Sequence, residues 1–188
     1  MDPERVAVIV GVGQVNDRPA DPMQGLDSLG LMVAALEAAD RDAGGGWLAD
    51  VESVAVVMQI SFARDNPLAQ KVADRIGSRA GIVYESAGPN GDSPILLLNE
   101  AANRIARGEI RIAAVTGGEA LRTASQRAAL AAKTAVADQN PIRNLAKGRA
   151  PGYRQLHGLS APVDVYPLYE NAGRAAYGQT LAQGQHES

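Results

Sequence analysis

Residues 84–120 read YESAGPNGDSPILLLNEAANRIARGEIRIAAVTGGEA, and this stretch decides the fold. The sequence predicts a strand that ends near Glu85, a turn rich in Gly, Pro and Asn, and a helix over 94–107. Gly108 ends that helix, a second strand follows over 111–116, and Gly117-Gly118-Glu119 makes a tight turn. Strand, helix and strand in this order form the unit of a parallel sheet, in which the helix crosses over one face.

The start of the predicted helix offers groups that suit a ligand. Asp92 or Ser93 can cap the backbone N–H groups, and Pro94 fits the first helical position. The residues that follow are apolar on nearly every side, which predicts burial on nearly every side. A buried helix with a polar start brings its positive dipole end into a cleft, which suits a nucleophile or an anionic group. An ordinary capped core helix explains the same pattern.

Strands and helices alternate along the first part of the chain. The sequence predicts strands over 6–12, 51–60, 80–84 and 111–116, separated by helices near 27–42, 66–77 and 94–107. This β-α-β-α-β-α-β order predicts an α/β domain with a largely parallel sheet. Ligands of such sheets bind beyond the carboxyl ends of the strands, so we expect the turns at 86–93 and 117–120 to share that edge.

The composition argues against several classes of function. The 188 residues include 18 Lys and Arg against 21 Asp and Glu, a net charge of −3 that disfavours non-specific nucleic-acid binding. The absence of Cys rules out disulfides and Cys-ligated metals, and no other cluster has the spacing of a metal site. No apolar run approaches the ~20 residues of a membrane span. We therefore expect a cytoplasmic globular protein without a metal.

Five segments, in order along the chain, resemble the N-terminal half of thiolases of the acetyl-CoA acetyltransferase type. They are VAVIVGVGQ at 6–14, NPLAQKVADRIG at 66–77, SPILLLNEAANRIARGE at 93–109, AVTGGEA at 114–120 and YPLYENAGRAAYGQ at 166–179. The resemblance implies a thiolase-like α/β domain over 1–138 with a buried central helix, and the beginning of a covering loop domain over 139–188. It also implies an acyltransferase of lipid metabolism that takes coenzyme A or acyl-CoA as substrate and has no covalently bound cofactor.

The chain departs from the thiolase pattern at the nucleophile. In the family a Cys at the start of the helix corresponding to 93–107 carries the acyl group, because a helix N-terminus favours the thiolate. The corresponding place falls within Asn90-Gly91-Asp92-Ser93, and the chain has no Cys. Ser93 as a substitute would need a general base, and His157 and His186 are the only histidines. We therefore predict no catalytic residue and no thiolase activity of the chain alone.

The predicted substrate-binding residues come from three places. They are Asn90, Gly91, Asp92 and Ser93 in the first turn, Gly117, Gly118 and Glu119 in the second, and Arg143, Lys147 and Arg149 in a basic segment. The three cations can meet the phosphates of coenzyme A, or they can belong to a solvated basic loop. A carboxylate placed as Glu119 is more often bonded to backbone N–H groups of a turn than used as an acid or base.

Three functions remain open at this point. The first is an acyl-CoA-handling thiolase-like protein that is a fragment or one part of a split protein. The second is a thiolase-like aldolase or lyase that acts on a CoA ester through a Tyr or another acid/base group. The third is a non-catalytic binding or assembly subunit. Helix 93–107 is apolar on more faces than this chain covers, so we expect an exposed patch and an oligomer. Its partner would be a C-terminal half, a companion subunit or another copy.

Overall fold

The structure is a computed structural model that describes residues 5–132, 152–159 and 161–187. It divides into two compact units, Met1–Gln139 and Asn140–Ser188. No helix among the described residues is long and apolar enough to span a membrane.

The first unit alternates helices and short strands. In chain order they are α1 Ser28–Asp42, β1 Ser53–Val56, α2 Ala69–Arg75, β2 Ile82–Glu85, α3 Ser93–Ala106, β3 Ala113–Thr116 and α4 Leu121–Ala132. All three strands are parallel, and the sheet order is β2-β1-β3. The predicted α/β class and the parallel sheet are therefore confirmed.

The central strand β1 organises the core of the first unit. Ser53 of β1 aligns with the first residue of each neighbouring strand, Ile82 and Ala113. All four residues of β1 are buried, as expected for a strand covered on both faces. Buried apolar side chains of α1, β1 and α2, with Leu68 just before α2, form the main cluster, which includes Met32, Leu36, Val54, Val56 and Val72.

The two faces of the sheet carry different helices. Ala114 belongs to the cluster with Met32, and Thr116 Oγ1 donates to the Met32 carbonyl at 3.4 Å, so these two β3 residues face α1. Because side chains alternate along a strand, Ala113 and Val115 face the opposite side. Helix α3 contacts β1 and β3, and residues of α3, β3 and α1 together line a cleft beside the outer edge of β3.

The first predicted strand does not belong to the sheet. Residues 6–12, called the strap below, make no ladder with β3, and Val8, Ile9 and Val10 are 66–70% exposed. The strap is instead attached to α1, where Val12 N donates to Asp42 Oδ2 at 2.9 Å. The sheet therefore has three strands among the described residues, one fewer than predicted.

Helix α3 is buried along one stripe only. Ser93, Leu97 and Ala101 are buried at four-residue spacing, whereas Ile95 is 68% and Leu96 58% exposed. The prediction of burial on nearly every side is wrong, because a single three-stranded sheet covers one face of a helix. The exposed apolar patch that the sequence predicted on this helix is present.

The second unit contains three helices. They are α5 Tyr153–Leu156, α6 Pro162–Tyr177 and α7 Leu181–Glu187. Helix α6 ends at Tyr177, and the following Gly178 has a φ of 64°, the left-handed conformation that Gly tolerates best. No residue of α5 or α6 is buried, so the described residues of this unit form no apolar core of their own.

Candidate functional site

Three chain segments meet at the carboxyl edge of the sheet. They follow β1 at 57–61, β2 at 86–92 and β3 at 117–120. Met58 N donates to Ser86 Oγ at 3.0 Å, and Ile60 N donates to a carboxylate oxygen of Glu119 at 2.9 Å. The turns after β2 and β3 therefore both lie at the edge where the sequence placed them, and the segment after β1 lies between them.

The turn after β2 is held by two buried hydroxyls. Ser86 Oγ donates to the Gly88 carbonyl at 2.7 Å, and Ser93 Oγ donates to the same oxygen at 3.1 Å. Ser93 is only 3% exposed. Its proton is thus committed to a backbone carbonyl, and it has no base beside it among the described residues of the first unit.

The N-terminus of α3 is not capped in the way that the sequence predicted. Asp92 occupies the cap position but has a helical backbone, and its side chain makes no cap hydrogen bond. Ser93 N instead donates to the Asn90 carbonyl at 3.1 Å. The predicted capping by the Asp92 or Ser93 side chain is therefore wrong, because a residue that caps through its side chain needs an extended backbone.

Glu119 joins the turn after β3 to the segment after β1. One carboxylate oxygen accepts from Ile60 N at 2.9 Å, and the other accepts from Ser61 N at 3.1 Å and from the Ser61 hydroxyl. Ser61 Oγ in turn accepts from Ala120 N at 2.9 Å. The role expected for Glu119, accepting backbone hydrogen bonds, is the one that the structure shows.

Gln59 is a site residue that the sequence reasoning missed. It is 2% exposed, and its amide oxygen accepts from Phe62 N at 2.6 Å and from Ser28 Oγ at 3.1 Å. Its amide nitrogen donates to the Phe62 carbonyl at 2.6 Å and to Asn66 Oδ1 at 2.9 Å. The polar Gln59 at the end of the apolar run 54–58 was the available signal, since buried side-chain amides are normally hydrogen-bonded.

Two titratable residues at the end of β2, Tyr84 and Glu85, also lie near this edge. Glu85 accepts hydrogen bonds from Leu68 N and from Ala69 N, the latter at 3.2 Å, so it caps the start of α2. Burial raises the pKa of Tyr84 despite the opposing charge of Arg104, whose guanidinium lies 5.6 Å from the ring centroid. A phenol with a raised pKa is a poor base at neutral pH.

A cleft of about 360 Å³ opens between the segment after β1 and the turn after β3. Its lining consists of Val57, Met58, Gln59, Pro94, Val115, Thr116, Gly117, Gly118 and Glu119. The cleft brings together the second predicted group, Gly117, Gly118 and Glu119. Asn90, Gly91, Asp92 and Ser93 do not line it, and only Pro94 represents the start of α3.

The remaining candidates lie outside the described part of the first unit. Arg143, Lys147 and Arg149 lie outside the described residues. His157 and His186 belong to the second unit, where the His157 ring is 4.5 Å from that of Tyr153. No group of three or more His, Cys, Asp or Glu in the described part of the chain could hold a metal ion.

The comparisons with known proteins point to one fold. No protein-family model matches the chain, and no curated protein matches it. Among solved structures it is similar to a monomeric SCP2-thiolase-like protein of type 1 from Mycobacterium smegmatis, with 28% identity and a TM-score of 0.50. The match covers 61% of this chain and 23% of that protein, so the chain corresponds to less than a quarter of its length. The α/β fold described above is thus a thiolase-like fold.

Proposed function

We propose that this chain is part of a thiolase-like protein of lipid metabolism that handles acyl-CoA in the cytoplasm. The carrying observation is the thiolase-like fold, shared at 28% identity with a protein described as SCP2-thiolase-like. The acetyl-CoA acetyltransferase type is the reaction class we propose for the complete assembly. Coenzyme A or its acyl ester would be bound as a substrate, with no covalent cofactor.

The proposed acyl-CoA site lies at the carboxyl edge of the sheet. Gly117, Gly118 and Glu119 line the cleft there, and the α3 N-terminus adjoins it through Pro94. The N-terminus of a helix stabilises negative charge, and the carbonyl oxygen of an acyl thioester becomes negatively charged during thiolase chemistry. In this proposal Asn90 to Ser93 border the acyl group, and Arg143, Lys147 and Arg149 meet the phosphates.

The chain alone lacks the groups for acyl transfer. It has no Cys, so no thiolate can carry the acyl group. Ser93 Oγ donates its proton to the Gly88 carbonyl, and the Glu119 carboxylate accepts three hydrogen bonds. These contacts support a chain that binds or positions the substrate while other polypeptide supplies the nucleophile and base.

The exposed apolar face of α3 supports the proposal that the chain has an interaction partner. Ile95, Leu96 and Leu98 are 68%, 58% and 39% exposed, and adjacent exposed apolar side chains mark interaction surfaces. The solved relative carries more than three quarters of its length outside the matched part. We propose that a C-terminal half, a companion subunit or a second copy covers this face. The same observation favours, as a second candidate, a non-catalytic assembly subunit.

The binding test is a calorimetric titration of the assembled protein with coenzyme A. Replacing Arg143, Lys147 and Arg149 by Ala is expected to weaken binding at least tenfold at physiological salt. The matched control replaces Arg64, Arg75 and Arg79, three exposed arginines of the first unit, with the same loss of charge. Unchanged affinity in the first triple variant, or an equal loss in both, would contradict the phosphate role. A loss of affinity seen only at low salt would indicate long-range electrostatic attraction instead of direct contact with the phosphates.

The activity test uses residues 1–188 alone with acetoacetyl-CoA and free coenzyme A. We expect no thiolytic turnover, and a solution mass above that of a monomer. A well-behaved monomer with turnover would overturn both parts of the proposal. Turnover that appears only after a companion chain is added would support an enzyme, whereas binding without turnover in the complete assembly would favour the assembly subunit.

A further inference from the structure

We propose that the N-terminus of α4 binds a phosphate group in a pocket beside the candidate cleft. The pocket has a volume of about 250 Å³ and lies between the loop over 15–26 and the first turn of α4. Of the described residues assigned above to the acyl-CoA site, Glu119 alone lines it. The site is therefore a second one, and it does not depend on the acyl-CoA function.

The loop over 15–26 is fixed against α4 by two arginines of that helix. Arg122 Nη1 donates to the Pro19 carbonyl at 2.8 Å, and Arg127 Nη2 donates to the Gly25 carbonyl at 3.0 Å. Both walls of the pocket are thus held in place by contacts within the protein. A ligand that enters has little backbone to order, which lowers the entropic cost of binding.

The first turn of α4 supplies backbone donors to the pocket. Leu121, Arg122 and Thr123 all line it, and none of their backbone N–H groups donates to a residue that the structure describes. Such N–H groups, together with the positive end of the helix dipole, bind phosphate in many proteins. Every helix has free N–H groups at its start, however, so they indicate a site only together with the side chains around them.

The Thr123 hydroxyl distinguishes this helix start from an ordinary one. Thr123 lines the pocket and is only 6% exposed, yet its hydroxyl makes no hydrogen bond to any described residue. Its Oγ1 lies against the Cα atom of Gly25, where an ideal Cβ would overlap it. Because buried hydroxyls are normally hydrogen-bonded, this one indicates a missing acceptor. An oxygen atom of a phosphate group in the pocket would be that acceptor.

The charged side chains of the pocket also favour a ligand that accepts hydrogen bonds. Its two carboxylates already accept from backbone N–H groups, Asp17 from Leu26 N at 2.6 Å and Glu119 from Ile60 N at 2.9 Å. Arg18, by contrast, is exposed and makes no hydrogen bond or ion pair with the described part of the chain. The arginines and carboxylates of the lining balance in charge, so the ligand is held by hydrogen-bond donors rather than by net charge. A phosphate group carries at least three strong acceptor oxygens, which match these donors.

Titration of the full, isotope-labelled chain with inorganic phosphate, followed by NMR at constant ionic strength, tests the site. We expect saturable shifts of the amide signals of Leu121, Arg122 and Thr123. Arg18→Ala should weaken binding at least threefold, and Arg79→Ala, which removes an exposed arginine outside the pocket, should leave it unchanged. No saturable shift at the three amides, or equal affinities of the two variants for phosphate, would overturn the proposal.

Thr123→Val separates a binding role of the hydroxyl from a structural one. The variant keeps the shape of the side chain, so we expect phosphate affinity to fall at least threefold while the midpoint of thermal unfolding without phosphate does not fall. Thr116→Val is the matched control, because the Thr116 hydroxyl donates to the Met32 carbonyl. It should lower the unfolding midpoint and leave phosphate affinity unchanged. A Thr123→Val protein that is less stable but binds phosphate normally would show that the hydroxyl has a partner within the protein, which contradicts the proposal.

Two further titrations of the unmodified chain identify the kind of ligand. Methyl phosphate that binds as tightly as inorganic phosphate would support a site for a phosphate group carried on a larger molecule. Binding of inorganic phosphate alone would support a site for the free ion. Chloride that shifts the same three amides at the same concentration would refute the proposal, because the pocket would then have no preference for an oxyanion.

Discussion

Glu119 and Ser61 close a hydrogen-bonded ring across the carboxyl edge of the sheet. The Glu119 carboxylate accepts from the Ser61 backbone and hydroxyl, and Ser61 Oγ accepts from Ala120 N, next to Glu119. Fifty-eight residues separate the two side chains along the chain. The ring therefore fixes the distance between the segment after β1 and the turn after β3, the two walls of the candidate cleft.

Replacing Glu119 by Gln is expected to destabilise the first unit by about 1–2 kcal/mol, because one acceptor of the ring becomes a donor that faces other donors. The value lies at the low end for charged hydrogen bonds since Glu119 is exposed. Urea denaturation measures the change. Glu37→Gln is the matched control, an exposed carboxylate on α1, and it should change stability by less than about 0.5 kcal/mol. Equal effects of both variants would show that the ring contributes nothing.

Gly13→Ala tests the contact of the strap with α1. The new methyl group would overlap the Ala35 carbonyl oxygen and lie 2.6 Å from Ala39 N, so we expect a loss of about 1–3 kcal/mol in thermal or urea unfolding. Gly81→Ala is the control, because a Cβ there meets nothing within 4 Å. A Gly13→Ala variant as stable as Gly81→Ala would show that the strap is not seated on α1.

Neighbouring residues of α3 should respond in opposite ways to truncation. Leu97 is 6% exposed, and Leu97→Ala is expected to cost about 2–5 kcal/mol, whereas Ile95→Ala, at a 68% exposed position, should cost less than about 1 kcal/mol. Urea denaturation of the two variants measures the difference. Similar losses for both would mean that Ile95 is covered in solution.

The exposed face of α3 can be tested without disturbing the core. Ile95→Glu with Leu96→Lys places two charges on exposed positions and leaves the net charge unchanged. We expect the double variant to fold and to lose any self-association of the chain, measured as mass by light scattering. Persistent association at the original strength would place the contact elsewhere on the molecule.

Acid should loosen the loop that follows α1. Hydrogen bonds from the backbone N–H of Gly46 and then of Trp47 lower the pKa of Asp40 below its usual value of 3.8. A lowered pKa in the folded state means that this interaction stabilises the loop above the unfolded pKa and is lost as pH falls through the folded pKa. Trp47, the single Trp, reports the change by fluorescence between about pH 5 and 2.

Asp40→Asn should abolish this acid transition, and Asp50→Asn, a neighbouring carboxylate change, should preserve it. An identical pH profile in all three proteins would show that Asp40 does not hold the loop.

The sequence predicted the elements whose patterns are local. Helix α1 was expected over 27–42 and found at Ser28–Asp42, and α3 was expected over 94–107 and found at Ser93–Ala106. The strand predicted over 51–60 was too long, because Gln59 turns the chain through contacts with Phe62 and Asn66. Apolar character alone does not show where a buried strand ends.

The strap shows the limit of pattern reasoning. Its run of Val and Ile fits a strand, but pairing depends on segments distant in the sequence, and no described strand pairs with it. The candidate site was predicted only in part, because some of its contacts also join segments that are distant in the sequence. The turn containing Glu119 follows from strand order, whereas the bonds that engage Gln59 and Ser86 join distant segments and leave no spacing signal.

The order of the strands has a consequence for synthesis. The central strand β1 precedes both of its neighbours along the chain, and β3 is complete only at Thr116. During translation, the edge of β1 that faces β3 therefore stays without its partner while about sixty further residues are added, and such non-local pairing forms slowly. A ribosome that pauses within 86–112 would prolong this unpaired state, in which strand edges promote aggregation. The timing of translation between β2 and β3 should therefore affect the yield of folded protein in cells.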